Sequence, residues 1–292
     1  NRRSIVLLAG APSPDVAFLR EALGGNPATQ VRVFVQRQGG GYYGDAPTAA
    51  ALGEAAAIVL VGFPVSSTPA AVVSMVAEAV RRDRSVLFIA SNDLDYSKLG
   101  PLADVLPFRV VSSRSREFAV TADVTSSAAA DPIMRLGTDD DARRWNDLPP
   151  IYRTETFVDV HPQATVLATQ RLNGVPMGDP LVITRDNGKA RVLAVLGHGI
   201  FRWRLLGKGP ADARGAAGVD VLTSFIDQGV RWLSSNADRQ RVRITASRQF
   251  YDAGESVVMT ATVMDASLRP VDAADVRCRI SSGNRLRDIV LA

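Results

Sequence analysis

Along the first 235 residues, short wholly apolar runs alternate with segments whose apolar positions recur every three or four residues. Ser4-Ile5-Val6-Leu7-Leu8-Ala9 ends in Gly10-Ala11-Pro12-Ser13-Pro14 and predicts a strand buried on both faces. Asp15 to Leu23 carries Val16, Leu19, Ala22 and Leu23 at helical spacing. Pro14 suits its first turn, Ser13 its cap and Gly24-Gly25 its stop. Val31 to Val35 alternates and reads as a strand, and Gly39-Gly40-Gly41-Tyr42-Tyr43-Gly44 reads as a mobile loop. Ala57 to Val61 and Ser85 to Ala90 are further buried strands. Between them Pro69 to Arg82 forms a helix with Val72, Val73, Val76 and Val80 on one face. Pro107 to Arg185 is richer in Thr, Val and Pro and predicts mixed or antiparallel strands. Arg191 to Leu196 returns to a buried strand ending in Gly197-His198-Gly199. Val219 to Leu233 is an amphipathic helix with Leu222, Phe225, Ile226, Val230 and Leu233 toward the core. Strand–helix–strand repeats of this kind imply a parallel sheet covered by helices. The predicted class is α/β, a doubly wound, mostly parallel flavodoxin-like sheet.

After Asn236 the period changes to two. Val242–Thr245, Ser256–Val263, Val276–Ile280 and Arg287–Leu291 alternate, with turn signals at Asp252-Ala253-Gly254 and Leu268-Arg269-Pro270. This is the opening of an all-β sandwich, with about four strands where an immunoglobulin-like one needs about seven. The expected division is an α/β domain over 1–238 and a truncated immunoglobulin-like β domain over 239–292.

Composition narrows the picture. Hydrophobic residues make up 46% and charged residues 22%, which excludes disorder as the main state. The longest apolar run, Ala55 to Val61, is far short of the ~20 residues that span a bilayer, so no transmembrane segment is expected in this chain. The chain opens at Asn1 with no signal pattern and reads as a piece of something longer. The single cysteine, Cys278, excludes an internal disulfide framework and a Cys-based zinc cluster. The net charge of +4 is spread among interleaved cations and anions, nearly all the cations being Arg. Despite a sequence pI near 9.6, no nucleic-acid partner is expected.

Four segments carry a family resemblance: Leu8-Ala9-Gly10-Ala11-Pro12-Ser13-Pro14-Asp15, Trp145-Asn146-Asp147-Leu148-Pro149-Pro150-Ile151, Gly188-Lys189 through Gly197-His198, and Phe201-Arg202-Trp203-Arg204. With them the first ~235 residues resemble the class I glutamine amidotransferase-like superfamily. The nearest likeness is to a non-enzymatic branch found in large bacterial membrane-anchored proteins, where immunoglobulin-like modules flank the domain. The Gly188 to His198 segment also looks like the trehalose-utilisation family of the same fold. The tail, from Tyr251-Asp252-Ala253-Gly254-Glu255 to Val276, is similar to bacterial immunoglobulin-like and macroglobulin-like modules. The resemblance implies an extracytoplasmic unit tethered by segments outside this chain. Its partners would be other domains of the same parent protein, or other proteins, with self-association through the exposed strand edges of the β tail.

An active class I amidotransferase needs a Cys at a strand-to-helix elbow, where the helix N-terminus lowers the thiol pKa and a His with a carboxylate partner activates it. The corresponding elbow reads Ser91-Asn92-Asp93-Leu94, and no His-x-Glu pair follows His198. Glutamine hydrolysis is therefore not expected. Two alternatives stand beside this. Ser91 and His198, with Asp93 or Asp95, can form a hydrolytic Ser–His arrangement, although Gly-x-Ser-x-Gly is absent; or Ser91 caps the following turn and His198 is satisfied by a backbone carbonyl. The residues expected to line a crevice at the carboxyl ends of the strands are Gly10, Ser13, Gly62, Ser91, Asn92, Asp93 and His198. His161, next to Pro162, reads as a loop residue. Asp139-Asp140-Asp141 lacks calcium-loop spacing, and the glycine loop lacks the Lys-Ser/Thr ending of a phosphate cradle. Trp203 is expected to pack on the core, with the neighbouring arginines reaching Asp212 or Asp220. No cofactor and no metal is expected.

Overall fold

The structure is a computed structural model describing residues 3–188, 190–205, 220–235, 242–246, 257, 259–263, 271, 276–282 and 285–291. The chain divides into two compact units, Asn1–Ser234 and Ser235–Ala292.

The first unit opens with β1 (Arg3–Ala9), α1 (Pro14–Gly24), β2 (Thr29–Val35), α2 (Ala49–Glu54), β3 (Ala57–Val61), α3 (Ala70–Arg81) and β4 (Ser85–Ile89). A 3₁₀ helix (Tyr96–Leu102) then leads into β5 (Phe108–Asp123), α4 (Ser126–Ala129), α5 (Asp141–Asn146), β6 (Ile151–Val160), β7 (Ala164–Leu172) and β8 (Val175–Asp186). The unit closes with β9 (Arg191–Val195), α6 (Phe201–Leu205) and α7 (Val221–Ser234). Nine strands form one sheet in the order β2-β1-β3-β4-β9-β8-β7-β5-β6. From β2 to β9 every pair is parallel; from β9 to β6 every pair is antiparallel. The protein is thus α/β with a mixed sheet. The antiparallel half is as large as the parallel one, so the expectation of a mostly parallel sheet understates it.

The reason lies in the side chains. Every residue of β3, β4 and β9 is buried, because their apolar positions face both ways. Ile5, Leu7, Val59 and Leu193 point to the face covered by α1 and α7; Val6, Leu8, Ile58 and Phe88 point to the face covered by α2, α3 and the 3₁₀ helix. In β5 and β6 the polar positions are many, and the middle of β5 stays exposed. Such strands tolerate water on one side and pair antiparallel.

Ser13 caps α1 by accepting the Val16 N–H at 3.3 Å. Gly25 ends that helix in a right-handed conformation, so its role there is to stop the apolar repeat rather than to supply positive φ. Three aromatic side chains join the antiparallel half to the helical cover. Trp145 of α5 lies edge-on to Trp203 of α6 (5.5 Å) and to Phe225 of α7 (5.4 Å), and its indole N–H donates to the Met134 carbonyl at 2.6 Å. Trp203 thus packs on the core as expected.

In the second unit β10 (Val242–Ala246) pairs antiparallel with β11 (Met259–Val263), and β12 (Val276–Ser282) with β13 (Arg285–Leu291). Cys278 stands in β12 opposite Ile289. The two predicted turns at 252–254 and 268–270 lie outside the described residues.

Trp145→Ala removes a fully buried ring and an indole hydrogen bond. It is expected to destabilise the first unit by about 3–5 kcal/mol. Urea unfolding followed by circular dichroism checks this, and a loss below about 1 kcal/mol would contradict the role given to the aromatic contact.

Candidate functional site

The carboxyl ends of β1, β3, β4 and β9 meet at one edge. Each strand end passes the ladder one residue further: Gly10 N–H to Val61 O (3.0 Å), Gly62 N–H to Ile89 O (2.8 Å) and Ala90 N–H to Val195 O (3.0 Å). The loops that follow are packed so closely that two glycines are obligatory. A Cβ on Gly10 would run into the Gly62 carbonyl oxygen, and one on Gly62 would run into the Ser91 hydroxyl, with the Ser91 Cβ at 2.7 Å. Gly62 also has φ +54°, a left-handed value that side chains disfavour.

Ser91 is therefore held by the contact with Gly62, half-buried, and its hydroxyl makes no hydrogen bond to another described residue. No helix starts behind it. The chain turns through Asn92 and Asp93, bridges back from Leu94 to Val65, and enters the 3₁₀ helix under a different cap. That cap is Asp95, which accepts the Ser97 N–H at 3.1 Å and the Ser97 hydroxyl at 2.6 Å. The expected capping role of Ser91 thus belongs to Asp95, because the Leu94 bridge delays the first helical turn.

His198 is bonded elsewhere. Its N–H and C=O pair with the C=O and N–H of Tyr152 in β6 (2.8 and 2.9 Å), and its Nε2 lies 2.8 Å from Glu117 Oε1 in β5. The expectation of a backbone carbonyl as its side-chain partner is corrected to a carboxylate. Glu117 reaches it because the β5–β6 register slips between Arg114 and Glu117, and such a bulge re-aims a side chain. No hydrogen bond joins Ser91 to His198. Asp95 is occupied as a cap, and Asp93 is exposed.

Asp15 was not among the expected site residues, yet it is buried and doubly hydrogen-bonded on this edge. It is 4% exposed and accepts the N–H groups of Gly199 (2.6 Å) and Phe201 (2.9 Å). It thereby fastens the turn after β9 to the first turn of α1. Burial raises its carboxyl pKa above the usual carboxylate range, even though the Phe201 and Gly199 N–H groups and nearby His198 act in the opposite direction. Beside it Arg202 stacks over Tyr152, 5.3 Å from the ring centroid. Arg204 reaches Glu21 and Asp220, each at 2.9 Å; Asp212 lies outside the described residues.

At the other end of the edge lies a cleft of about 480 Å³. Its walls are the Gly10–Pro12 turn, Gln38 and Tyr43, Val65 and Ser66, and Asp93. Of the expected crevice residues, Gly10 and Asp93 line it, Ser13 caps α1 next to the Gly10–Pro12 turn, Gly62 and Ser91 are packed together, Asn92 is exposed in the turn, and His198 belongs to the Glu117 cluster. The glycine loop, expected to be mobile, is folded back on itself: Arg37 N–H bonds Gly41 O (3.0 Å), Gly40 N–H bonds Arg37 O (3.1 Å) and Tyr43 N–H bonds Val35 O (2.9 Å). Four glycines at positive φ allow that path. His161 is a loop residue whose Nδ1 accepts the Gln163 N–H. Asp140 caps α5, and Asp141 accepts N–H groups of Leu136, Gly137 and Thr138, so this acidic run serves local turns.

No protein-family model matches the chain, and no curated protein matches it in sequence. Among solved structures, the cytoplasmic protein STM1381 of Salmonella typhimurium LT2 is similar, with a TM-score of 0.51 and 14% identity over 80% of this chain and 100% of that one. Gan42B, a GH42 β-galactosidase, aligns with a TM-score of 0.43 and 11% identity over 85% of this chain and 32% of its own. The glutaminase domain of Trypanosoma brucei CTPS aligns with a TM-score of 0.35 and 9% identity, over 78% of this chain and 92% of that domain. Of the three, only STM1381 exceeds a TM-score of 0.5, and at 14% identity it bears on the fold alone.

Two outcomes follow from this packing. Gly62→Ala forces a side chain into Ser91 at a left-handed φ, and a loss of about 1–3 kcal/mol is expected in denaturant unfolding, whereas a neutral effect would mean the turn can yield. Asp15, with its pKa raised in the fold, contributes most below the ordinary carboxylate pKa, and that contribution is lost as pH rises through the raised value. Stability of the wild type relative to Asp15→Asn should therefore fall with rising pH across that window and level off above it. Unfolding free energies measured over a pH series check the sign, and a rise across the window would contradict it.

Proposed function

We propose that the first unit is an amidotransferase-like domain without hydrolytic chemistry, which serves as a binding or structural unit. In this reading the parallel order β2-β1-β3-β4-β9 is the flavodoxin-like core and the antiparallel strands are an extension of it. The second unit is an immunoglobulin-like β module, and the whole is tethered on the extracytoplasmic side of a bacterial membrane by segments of a parent protein outside this chain. Its partners are then neighbouring domains or other proteins.

The observation that carries the reading is the turn after β4. A nucleophile there needs a helix N-terminus behind it and a base within about 3 Å. Ser91 has neither: the segment after it is a turn, and the His198 Nε2 is taken by Glu117. The bonds that would activate a hydroxyl are instead spent in fastening β9 to β5 and β6.

Purified protein is expected to release no ammonia from glutamine above buffer background. Any weak hydrolysis of p-nitrophenyl acetate should be unchanged by Ser91→Ala. Robust turnover of either substrate that disappears in Ser91→Ala and in His198→Ala would overturn the reading in favour of a hydrolase using those two residues. Recovery of the full-length parent solely in the soluble cytoplasmic fraction would remove the proposed location.

A further inference from the structure

We infer that the cleft between the ends of β1 and β3 is a binding site for a neutral saccharide. The inference takes from the preceding section only that the first unit binds rather than hydrolyses. α1 leaves β1 over one face of the sheet and α3 leaves β3 over the other, so the cleft opens where the connections diverge. Open α/β sheets bind ligands at such points. Its volume of about 480 Å³ holds a mono- or disaccharide.

The walls decide the ligand's chemistry. Tyr43 is 56% exposed and offers a flat aromatic surface, which suits the C–H face of a sugar ring. Gln38 and Ser66 can both donate and accept hydrogen bonds, and Asp93 accepts them, which is the mixture that hydroxyl groups require. None of these three side chains bonds another described residue, so all are free to meet a ligand.

Other ligand classes fit less well. An anion would meet the Asp93 carboxylate; no cationic side chain lines the walls, and the neighbouring Arg37 guanidinium is stacked over the Tyr43 ring. The α1 N-terminus nearby does not offset this. Pro14 has no N–H, Ser13 takes the Val16 N–H, and the Asp15 carboxylate stands in the first turn. The Arg37 guanidinium already covers one face of the Tyr43 ring, 5.2 Å from its centroid, so any ligand has the other face, and a cation there would face a like charge across the ring. A purely apolar ligand would strip water from Gln38, Ser66 and Asp93 without replacing it.

The Ser66 wall is also built to stay in place. Lys98 donates to the carbonyl oxygens of Ser66 (2.5 Å) and Thr68 (2.8 Å). Gln36, fully buried, accepts the Thr68 hydroxyl at 2.7 Å and donates to the Ser67 hydroxyl at 3.1 Å, and Thr68 accepts the Val65 N–H at 2.9 Å. A buried polar network beneath an exposed loop fixes the geometry of the groups above it, which lowers the ordering cost of binding.

Saturation-transfer NMR and calorimetry on the full chain test the inference. The probes are glucose, galactose, maltose and lactose, with glucose 6-phosphate and glucosamine as charged counterparts. At least one neutral sugar is expected to bind saturably at millimolar concentration, and glucose 6-phosphate more weakly than glucose. Tyr43→Ala should weaken the neutral sugar about tenfold, and Tyr43→Phe should retain it. Gln38→Ala supplies a second loss of affinity should Tyr43→Ala disturb the fold, which its unfolding midpoint reports. Absence of saturable binding by every neutral sugar overturns the inference. So does binding indifferent to both Tyr43→Ala and Gln38→Ala, or a preference for the phosphorylated sugar. Hydrolytic turnover lost in Ser91→Ala, with sugar binding intact, would overturn the earlier reading alone.

Discussion

Strands that are apolar on both faces have to be covered from both sides, and that requirement organises the first unit. β3, β4 and β9 have no exposed position, so helices lie over each face and the connections between parallel strands run over the sheet rather than along its edge. Because the strands run parallel, their carboxyl ends finish together. The loops that leave them then crowd into one place, which is why Gly10 and Gly62 carry no side chain and why Ser91 is pressed against Gly62. Crowding at the sheet edge is the consequence of the cover, and the cleft is the space left between the diverging loops.

Polar groups at that edge are used in two ways. At the β9 end they are consumed inside the protein. Asp15 holds the turn before α6, and Glu117 and Tyr152 hold His198, so the antiparallel strands are stitched to the last parallel strand. At the β1–β3 end Gln36, Thr68 and Lys98 are similarly consumed, but they hold a wall whose own side chains remain open to solvent. A buried polar group without a partner costs roughly 1–3 kcal/mol, and the buried members Asp15, Gln36 and Thr68 each carry hydrogen bonds. The difference is that the first ties strands and turns to one another and the second borders a cleft.

Much of the first unit was legible along the chain. Apolar runs of five to seven residues marked β1, β3, β4 and β9, and helical spacing with Ser13 and Pro14 marked α1 closely. The length of the antiparallel half was less legible: bulges at Val110/Ser112 and Arg114/Glu117 break the period-two pattern of β5, and its exposed middle reads as loop. The short helices α2, α4, α5 and α6 have four to six residues each, too few for a 3.6-residue period to show.

For the site, the sequence by itself determined the absences: no Cys at the turn after β4 and no His-x-Glu after His198. It also marked Gly10, Gly62 and His198, since a glycine or histidine directly after a buried strand falls at the sheet's carboxyl edge. The tertiary structure decided the pairings. Asp15 bonds Gly199 across 184 residues of sequence, and Glu117 finds His198 only because a bulge in a partner strand turns it that way. Tyr43 joins Asp93 in one cleft only because the glycine loop folds back beside the turn after β4. Local sequence sets φ, ψ and the side-chain period of an element, but contacts between distant elements depend on sheet order and register, which arise only when all the strands are packed together.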